Sequence, residues 1–472
     1  MRNNTRKVSK KKWTIIMHVS AENNLFVEML SVMEELFGIK NWSDAYFRQI
    51  NFLVLFDGLS AKRFSYDFAK PSLYLVRPDS SFYLEFPVYM LRSDDMTDPA
   101  TLKGVYSFVK RRYPAEKYGF IYKGHGSSGE GDIASKIFME KIMKVPTGLM
   151  KAGKEEELGE LLKKKTLFFG GWNFEEQYPI NAYGGSNDKY TYLMVIMTKR
   201  RGRTLTYQKM ADVLKEVFGE TKFEFLFLDC CWGMQVENAH TFRDITKYFV
   251  ASADLMPAAG VGYADFLRKI ISRPHVTGRE IAGLLLSVFF TNKYDDYDGE
   301  DESFRKMGVS LTNLKMDEMP RFISLFSQFC MFLSDGMEKY VHIIQKARKC
   351  CQDHTYDEKP EAFDMFNIDL VWFVENVIHF NRKSLKDKEL ELLALDLLYA
   401  ITVRLRYGYV GNNYKKYKPG VPAIGGNGIS ITFPQTKQHY KNSMLPNKKK
   451  VNKKFAADTN WISFLESYYK QL

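Results

Sequence analysis

Phe223-Glu224-Phe225-Leu226-Phe227-Leu228-Asp229-Cys230-Cys231-Trp232-Gly233 is the stretch on which the reading of this chain turns. Residues 223–228 are nearly all apolar and rich in aromatics, the pattern of a strand buried on both faces of a sheet. The run stops at an acid, two cysteines and a glycine, so the side chains that can do chemistry sit where the strand ends. In open α/β sheets the functional crevice lies at the carboxyl ends of the strands, where side chains leave the sheet on short loops.

A second stretch has the same form. Residues 118–122 read as a strand that runs into Lys123-Gly124-His125-Gly126-Ser127-Ser128, where the density of glycine and serine requires a loop. Further out, residues 13–19 and 50–56 read as buried strands separated by a helix around 25–36, and residues 63–91 as further strands or a hairpin. Asp98-Pro99 opens a helix through Arg112, with Asp as N-cap and Pro at the first helical position. Residues 207–218 read as a helix before the decisive strand, 236–248 as a helix after it, and 249–253 as one more strand. The second half is mostly helical: 278–290, 319–350, 366–380 and 385–406 carry a 3.6-residue apolar rhythm, broken only by probable-strand patterns at 309–314 and 428–433. The expected fold class is α/β, a mostly parallel sheet flanked by helices, with a helical C-terminal portion.

Composition sets the limits of function. The chain has 472 residues, 45% hydrophobic and 26% charged, as a folded protein does. The net charge of +12 suggests nucleic acid, but its position argues otherwise. Residues 1–12 and 441–454 each hold six basic residues and no acids, which accounts for the whole excess. The body is close to neutral, and no nucleic-acid partner is expected. Five cysteines, Cys230, Cys231, Cys330, Cys350 and Cys351, are not a disulfide framework. Residues 13–19 are too short and too polar for a signal-peptide core, and no apolar run is long enough to span a bilayer. A cytoplasmic protein is expected, or a secreted one if an export signal has been removed.

A cysteine nucleophile needs a base to draw off its proton, and that base comes from elsewhere in the fold, widely separated in sequence. His125 meets this need for the Cys230-Cys231 loop. Gly126, with no side chain in the way, offers a backbone amide to the oxyanion of a tetrahedral intermediate, alongside the amide of Cys231. Taken singly, a cysteine after an apolar strand is more often a core residue and a histidine more often structural. Their joint position on two strand ends is what favours acyl transfer.

At this point the chain resembles the clostripain family of cysteine peptidases, in the broad clan of caspases, gingipains and separase. Lys12-Trp13-Thr14-Ile15-Ile16-Met17 with Ala21-Glu22-Asn23-Asn24-Leu25 is similar to the family's first strand and turn. Asp98 to Leu102 and Tyr113 to Tyr118 lead into His125-Gly126 as the family leads into its catalytic His-Gly. Asp229-Cys230-Cys231 followed by Val236-Glu237 resembles the family's Asp-Ala-Cys loop, which selects Cys231 as nucleophile and puts Cys230 in the alanine position. Arg243-Asp244, Val250-Ala251-Ser252, Pro257, and Gly428 to Pro434 with Trp461, Phe464-Leu465 and Tyr468 continue the match to the end of the chain.

The resemblance implies a caspase-like catalytic domain over 13–270 after a basic tail at 1–12, an insertion at 127–204, and a mostly helical region at 271–472 that returns to the core. It implies a cysteine endopeptidase working through His125 and Cys231 on protein or peptide substrates. Asp229 then lies at the base of the pocket for the residue before the cut bond, which favours Arg or Lys there. The family's second acid, in a Gly-Asp-Gly-Trp segment, is missing from Ala258-Ala259-Gly260-Val261, which weakens that preference. Self-cleavage near Lys199, Arg200, Arg201 and Arg203 in the insertion is a further expectation. No cofactor is required by the sequence. The resemblance allows calcium, with Glu130, Asp132 and the acids of 295–302 as oxygen donors, the stretch 295–302 not fitting the EF-hand spacing. The altered pocket segment keeps one alternative open, an inactive relative that serves as an interaction scaffold. The sequence sets no oligomeric state.

Overall fold

The computed structural model describes residues 9–21, 26–39, 48–58, 60–61, 66–67, 71–77, 87–91, 96–124, 205–253, 256–257, 260–294, 310–351, 367–411, 427–443 and 453–472. The strands are β1 (Lys11–Ser20), β2 (Ile50–Asp57), β3 (Ser60–Ala61), β4 (Tyr66–Asp67), β5 (Ser72–Leu75), β6 (Tyr89–Met90), β7 (Ala115–Lys123), β8 (Phe223–Asp229), β9 (Thr246–Ala251), β10 (Ser310–Lys315), β11 (Asn367–Asp369), β12 (Arg406–Gly411) and β13 (Ser430–Thr432). Nine of these form one sheet in the order β12-β10-β9-β8-β7-β1-β2-β5-β6. Its five central strands, β9 to β2, are parallel, and an antiparallel pair closes each edge. The strand order reverses between β7 and β1, the place where a parallel sheet opens its crevice at the carboxyl ends.

The helices follow as α1 (Phe26–Phe37), α2 (Pro99–Arg112), α3 (Tyr207–Phe218), α4 (Val236–Thr241), α5 (Tyr263–Ile271), α6 (Gly278–Tyr294), α7 (Met319–Asp335), α8 (Met337–Cys350), α9 (Leu370–Lys383), α10 (Lys388–Tyr399), α11 (Lys437–Ser443), α12 (Lys453–Thr459) and α13 (Trp461–Gln471). The central strands are apolar on both sides because both sides are covered. Phe225 and Phe227 of β8 pack with Met29 and Val32 of α1, Phe266 of α5 and Leu285 of α6 in one core. Leu226 and Leu228 pack in a second with α2, α3 and the C-terminal helices. Asp98 caps α2 as its position before Pro99 predicts, accepting from the Ala100 and Thr101 amides at 3.2 and 3.1 Å.

Several boundaries differ from the periodicity. The helix expected over 236–248 stops at Thr241, because Thr246–Ala251 joins β8 in parallel register and the sheet pairing overrides the helical rhythm. The long helix at 319–350 is two, divided at Gly336, where a Cβ would stand 2.5 Å from the Tyr340 ring. The helix expected to run to Arg406 ends at Tyr399, continues as a π-helical turn over Ala400–Leu405, and gives way to β12, which pairs antiparallel with β10 at the sheet edge. A short strand, β11, precedes α9 and pairs with β13 in a separate sheet. The strand β1 begins at Lys11, whose ammonium donates to the Ile50 carbonyl at 3.0 Å, while Lys12 pairs with Glu116 at 2.9 Å. These two lysines therefore belong to the sheet and not to the tail.

Candidate active site

Parallel pairing sets Lys123, the last residue of β7, beside Asp229, the last residue of β8. The ladder continues one step further, with the Gly124 amide donating to the Asp229 carbonyl at 3.4 Å. The chain thus leaves the sheet one residue before His125 and two residues before Cys231, on neighbouring strands at the same edge. His125 and Gly126 themselves lie outside the described residues, as do Ala258, Ala259, Lys199, Arg200, Arg201, Arg203, Glu130, Asp132 and residues 295–302.

The alternation of β8 decides the two cysteines. Cys230 falls on the face of Leu226 and Leu228 and is buried in the core, with its sulfur 3.3 Å from the Tyr207 hydroxyl. Burial drives its thiol well above the ordinary range. Cys231 follows the end of the strand and is half-buried. Its Sγ accepts from the Met256 amide at 3.4 Å, and burial pushes the thiol up to about 11, with the negative charge of Asp229 adding to the rise. Without a base this sulfur holds its proton at neutral pH.

The turn that presents Cys231 is tight. Trp232 takes a left-handed backbone with φ 52°, uncommon outside glycine. A Cβ on Gly233 would come within 3.1 Å of the Ala251 Cβ and 3.2 Å of the Leu228 Cβ, so any larger residue would have to push these neighbours aside by a few tenths of an ångström. The turn is fixed from behind by β13: the Ser430 amide donates to the Met234 carbonyl at 3.0 Å, and the Thr432 amide to Glu237 Oε1 at 2.9 Å. Burial pushes the Glu237 carboxyl up to about 7.

Asp229 lies under this turn and is 2% exposed. Its Oδ2 accepts from Lys123 Nζ at 2.9 Å and from the Tyr263 hydroxyl. Its Oδ1 is buried with no hydrogen-bond partner among the described residues. Sequence reading placed Lys123 only as the first residue of the loop that follows the strand at 118–122. Tyr263 and Met256 carried no signal in the sequence, since each reaches the site from a segment whose approach depends on the fold.

Among the described residues no group of three or more His, Cys, Asp or Glu side chains is placed to hold a metal ion. No helix of the described residues is long and apolar enough to cross a membrane.

The profile of the clostripain family matches residues 181–468. Similar solved structures include a secreted C11 cysteine protease from Bacteroides thetaiotaomicron in complex with an irreversible peptide inhibitor. It is 15% identical, with a TM-score of 0.57 over 97% of this chain and 99% of that one. A second is iotapain, a secreted C11 cysteine protease from the same organism, at 13% identity and TM-score 0.55 over 96% of this chain and 100% of that one. A third is an inactive zymogen C11 protease from Parabacteroides distasonis, at 14% identity and TM-score 0.54 over 96% of this chain and 99% of that one. At these identities the likeness is one of fold. No curated protein sequence matches the chain.

Proposed function

Because this chain belongs to the clostripain family, and is a cysteine-type peptidase that hydrolyses protein or peptide substrates, we propose that Cys231 is its nucleophile and His125 its general base. The observation that carries this reading is the register of β7 with β8, which brings the two chain segments that bear them out of the sheet side by side. The burial of Cys230 against Tyr207 supports Cys231 over its neighbour.

In this mechanism His125 takes the Cys231 proton as the sulfur attacks the peptide carbonyl carbon. The amides of Gly126 and Cys231 donate to the oxyanion. The imidazolium then gives its proton to the leaving amine as the C–N bond breaks, leaving an acyl-enzyme. Water, deprotonated by His125, hydrolyses the thioester and restores the thiol. A thiol held near 11 makes this transfer to His125 a requirement.

The finer expectation is cleavage after Arg or Lys, with self-cleavage at Lys199, Arg200, Arg201 or Arg203 as activation. It needs an Asp229 carboxylate open to a substrate cation, and the ion pair with Lys123 opposes it. Replacing all four basic residues tests activation: unchanged mass and unchanged activity would remove it. A calcium requirement would draw on Glu130, Asp132 or the acids of 295–302, and a chelator titration of activity tests it. Fractionation of the producing cells decides between the cytoplasm and export.

The deciding experiment is labelling by a panel of peptidyl acyloxymethyl ketones, with peptide turnover followed in parallel. Modification of Cys231 in the wild type, lost in Cys231→Ala and slowed in His125→Ala, is expected. A wild type that neither turns over peptides nor takes any label would leave the inactive scaffold as the better reading.

A further inference from the structure

Asp229 is the one buried carboxylate beside the proposed nucleophile among the described residues, and half of it is already committed. Lys123 and Asp229 are directly paired across β7 and β8, so their side chains project from the same face of the sheet into the core of Ile121, Phe227 and Tyr263. Lys123 is 1% exposed and Asp229 2%. The ammonium lies 2.9 Å from Oδ2 and 5.7 Å from the centre of the Tyr263 ring, and the Tyr263 hydroxyl donates to the same oxygen. The backbone of Gly260 covers the pair, close enough that a Cβ there would stand 2.9 Å from Nζ and 2.6 Å from Oδ2. What remains is Oδ1, a buried acceptor with no partner among the described residues.

We propose that Lys123 determines the side-chain specificity of this peptidase: it neutralises Asp229 from within, so the pocket selects an uncharged, hydrogen-bond-donating residue before the cut bond, such as Gln, and rejects Arg and Lys. The inference rests on the proposed reading that Cys231 is the nucleophile and that Asp229, two residues before it, lies at the base of the pocket for the residue before the cut bond. A substrate cation that reached Oδ1 would share one carboxylate with the Lys123 ammonium, and like charges in a site of low dielectric repel strongly. It would not displace Lys123 at small cost, because that would break a buried ion pair of 2.9 Å and leave an ammonium that is 1% exposed without its partner. A neutral donor satisfies Oδ1 and adds no charge. A buried acceptor left unpaired by an apolar side chain retains its desolvation penalty, which favours the donor over an isostere.

The test compares peptides that differ only in that residue, Gln, Met, Arg and Lys, against the wild type, Lys123→Met, and the double variant Lys123→Met with Asp229→Asn. Binding of agmatine, a mimic of the arginine side chain, is followed by calorimetry on the same proteins. The wild type is expected to favour Gln over Arg and Lys in kcat/KM by roughly tenfold or more, and Lys123→Met to reverse that order. The double variant, neutral at both positions, returns to the wild-type order, and the wild-type preference, with the agmatine measurement on the wild type, keeps the question answerable if Lys123→Met does not fold. Agmatine is expected to bind Lys123→Met and not the wild type.

A wild type that prefers Arg or Lys, or a Lys123→Met protein with the wild-type order, overturns the inference. So does saturable binding of agmatine to the wild type. Absence of all turnover would instead count against the peptidase reading, while the agmatine comparison would still decide the pocket.

Discussion

The Tyr207 hydroxyl sits 3.3 Å from the Cys230 sulfur, in the core that holds Leu226 and Leu228, and this contact puts Cys230 in a different environment from the half-buried Cys231. Cys230→Ala removes a small buried group and is expected to cost about 1 kcal/mol of stability while leaving kcat/KM near the wild-type value. Cys231→Ala is expected to lower turnover by roughly a thousandfold or more with little effect on melting temperature. Equal loss of activity in both variants would mean that the Tyr207 contact does not distinguish them.

The Cys231 thiol supplies a prediction in pH. Burial pushes it up to about 11, above the thiol's ordinary range, so the folded state holds this proton to higher pH than the unfolded chain does. Its contribution to stability is therefore present at neutral pH and is lost as pH rises through the ordinary thiol range toward 11. In His125→Ala, where no base assists, iodoacetamide alkylation of Cys231 should climb steadily with pH and stay far from its plateau at pH values where an exposed thiol has levelled off. A plateau in the ordinary thiol range would refute the raised value. Lys123 lowers the same thiol, so Lys123→Met should move the curve to still higher pH.

How far the sequence carries such arguments depends on the element. Mostly apolar runs at β1, β2, β7 and β8 state their own burial, and so the parallel centre of the sheet was legible. The edge strand β12, Arg-Tyr-Gly-Tyr-Val-Gly, was not, because it follows a helical rhythm without a break and its strand character comes from pairing with β10. The division at Gly336 was equally hidden, since it arises from the Tyr340 ring lying where a side chain would go. At the site, motif order pointed to Cys231 and Asp229. The partners Lys123 and Tyr263 emerged only when register and packing brought them together.

Glu237, in the helix that follows the Cys231 turn, is joined to β13 through the Thr432 amide at 2.9 Å. Burial pushes its carboxyl up to about 7, while the Thr432 bond works in the opposite direction. A carboxyl raised in the folded state weakens the fold as pH rises from its ordinary value of 4.5 toward 7. Glu237→Gln keeps an acceptor for Thr432 and removes the ionisation, so its stability relative to wild type should increase across that window by up to about 3 kcal/mol, read as a rising difference in melting temperature. Glu237→Ala loses the bond and should be less stable at every pH. A Gln variant whose difference from wild type does not change with pH would show that the carboxyl does not titrate there.

Two glycines should respond to the same substitution in opposite directions. Gly104, in the exposed middle of α2, has nothing within 4 Å of a built Cβ, so Gly104→Ala meets open space and gains helix propensity. The expected gain is about 0.5–1 kcal/mol, read as a higher melting temperature with unchanged activity. Gly260 takes φ +72°, and its Cβ would stand 2.6 Å from Asp229 Oδ2, 2.7 Å from the Tyr263 ring and 2.9 Å from Lys123 Nζ. Gly260→Ala combines backbone strain of roughly 1 kcal/mol with displacement of a buried ion pair, whose disruption costs about 3–5 kcal/mol when one partner is lost altogether. The variant should therefore lose at least about 2 kcal/mol of stability and most of its activity. Because the strain is shared by every side chain at that φ, Gly260→Ser should fail in the same way. If Gly260→Ala were as stable and as active as Gly104→Ala, the contact between this backbone and the Lys123–Asp229 pair would not exist in solution.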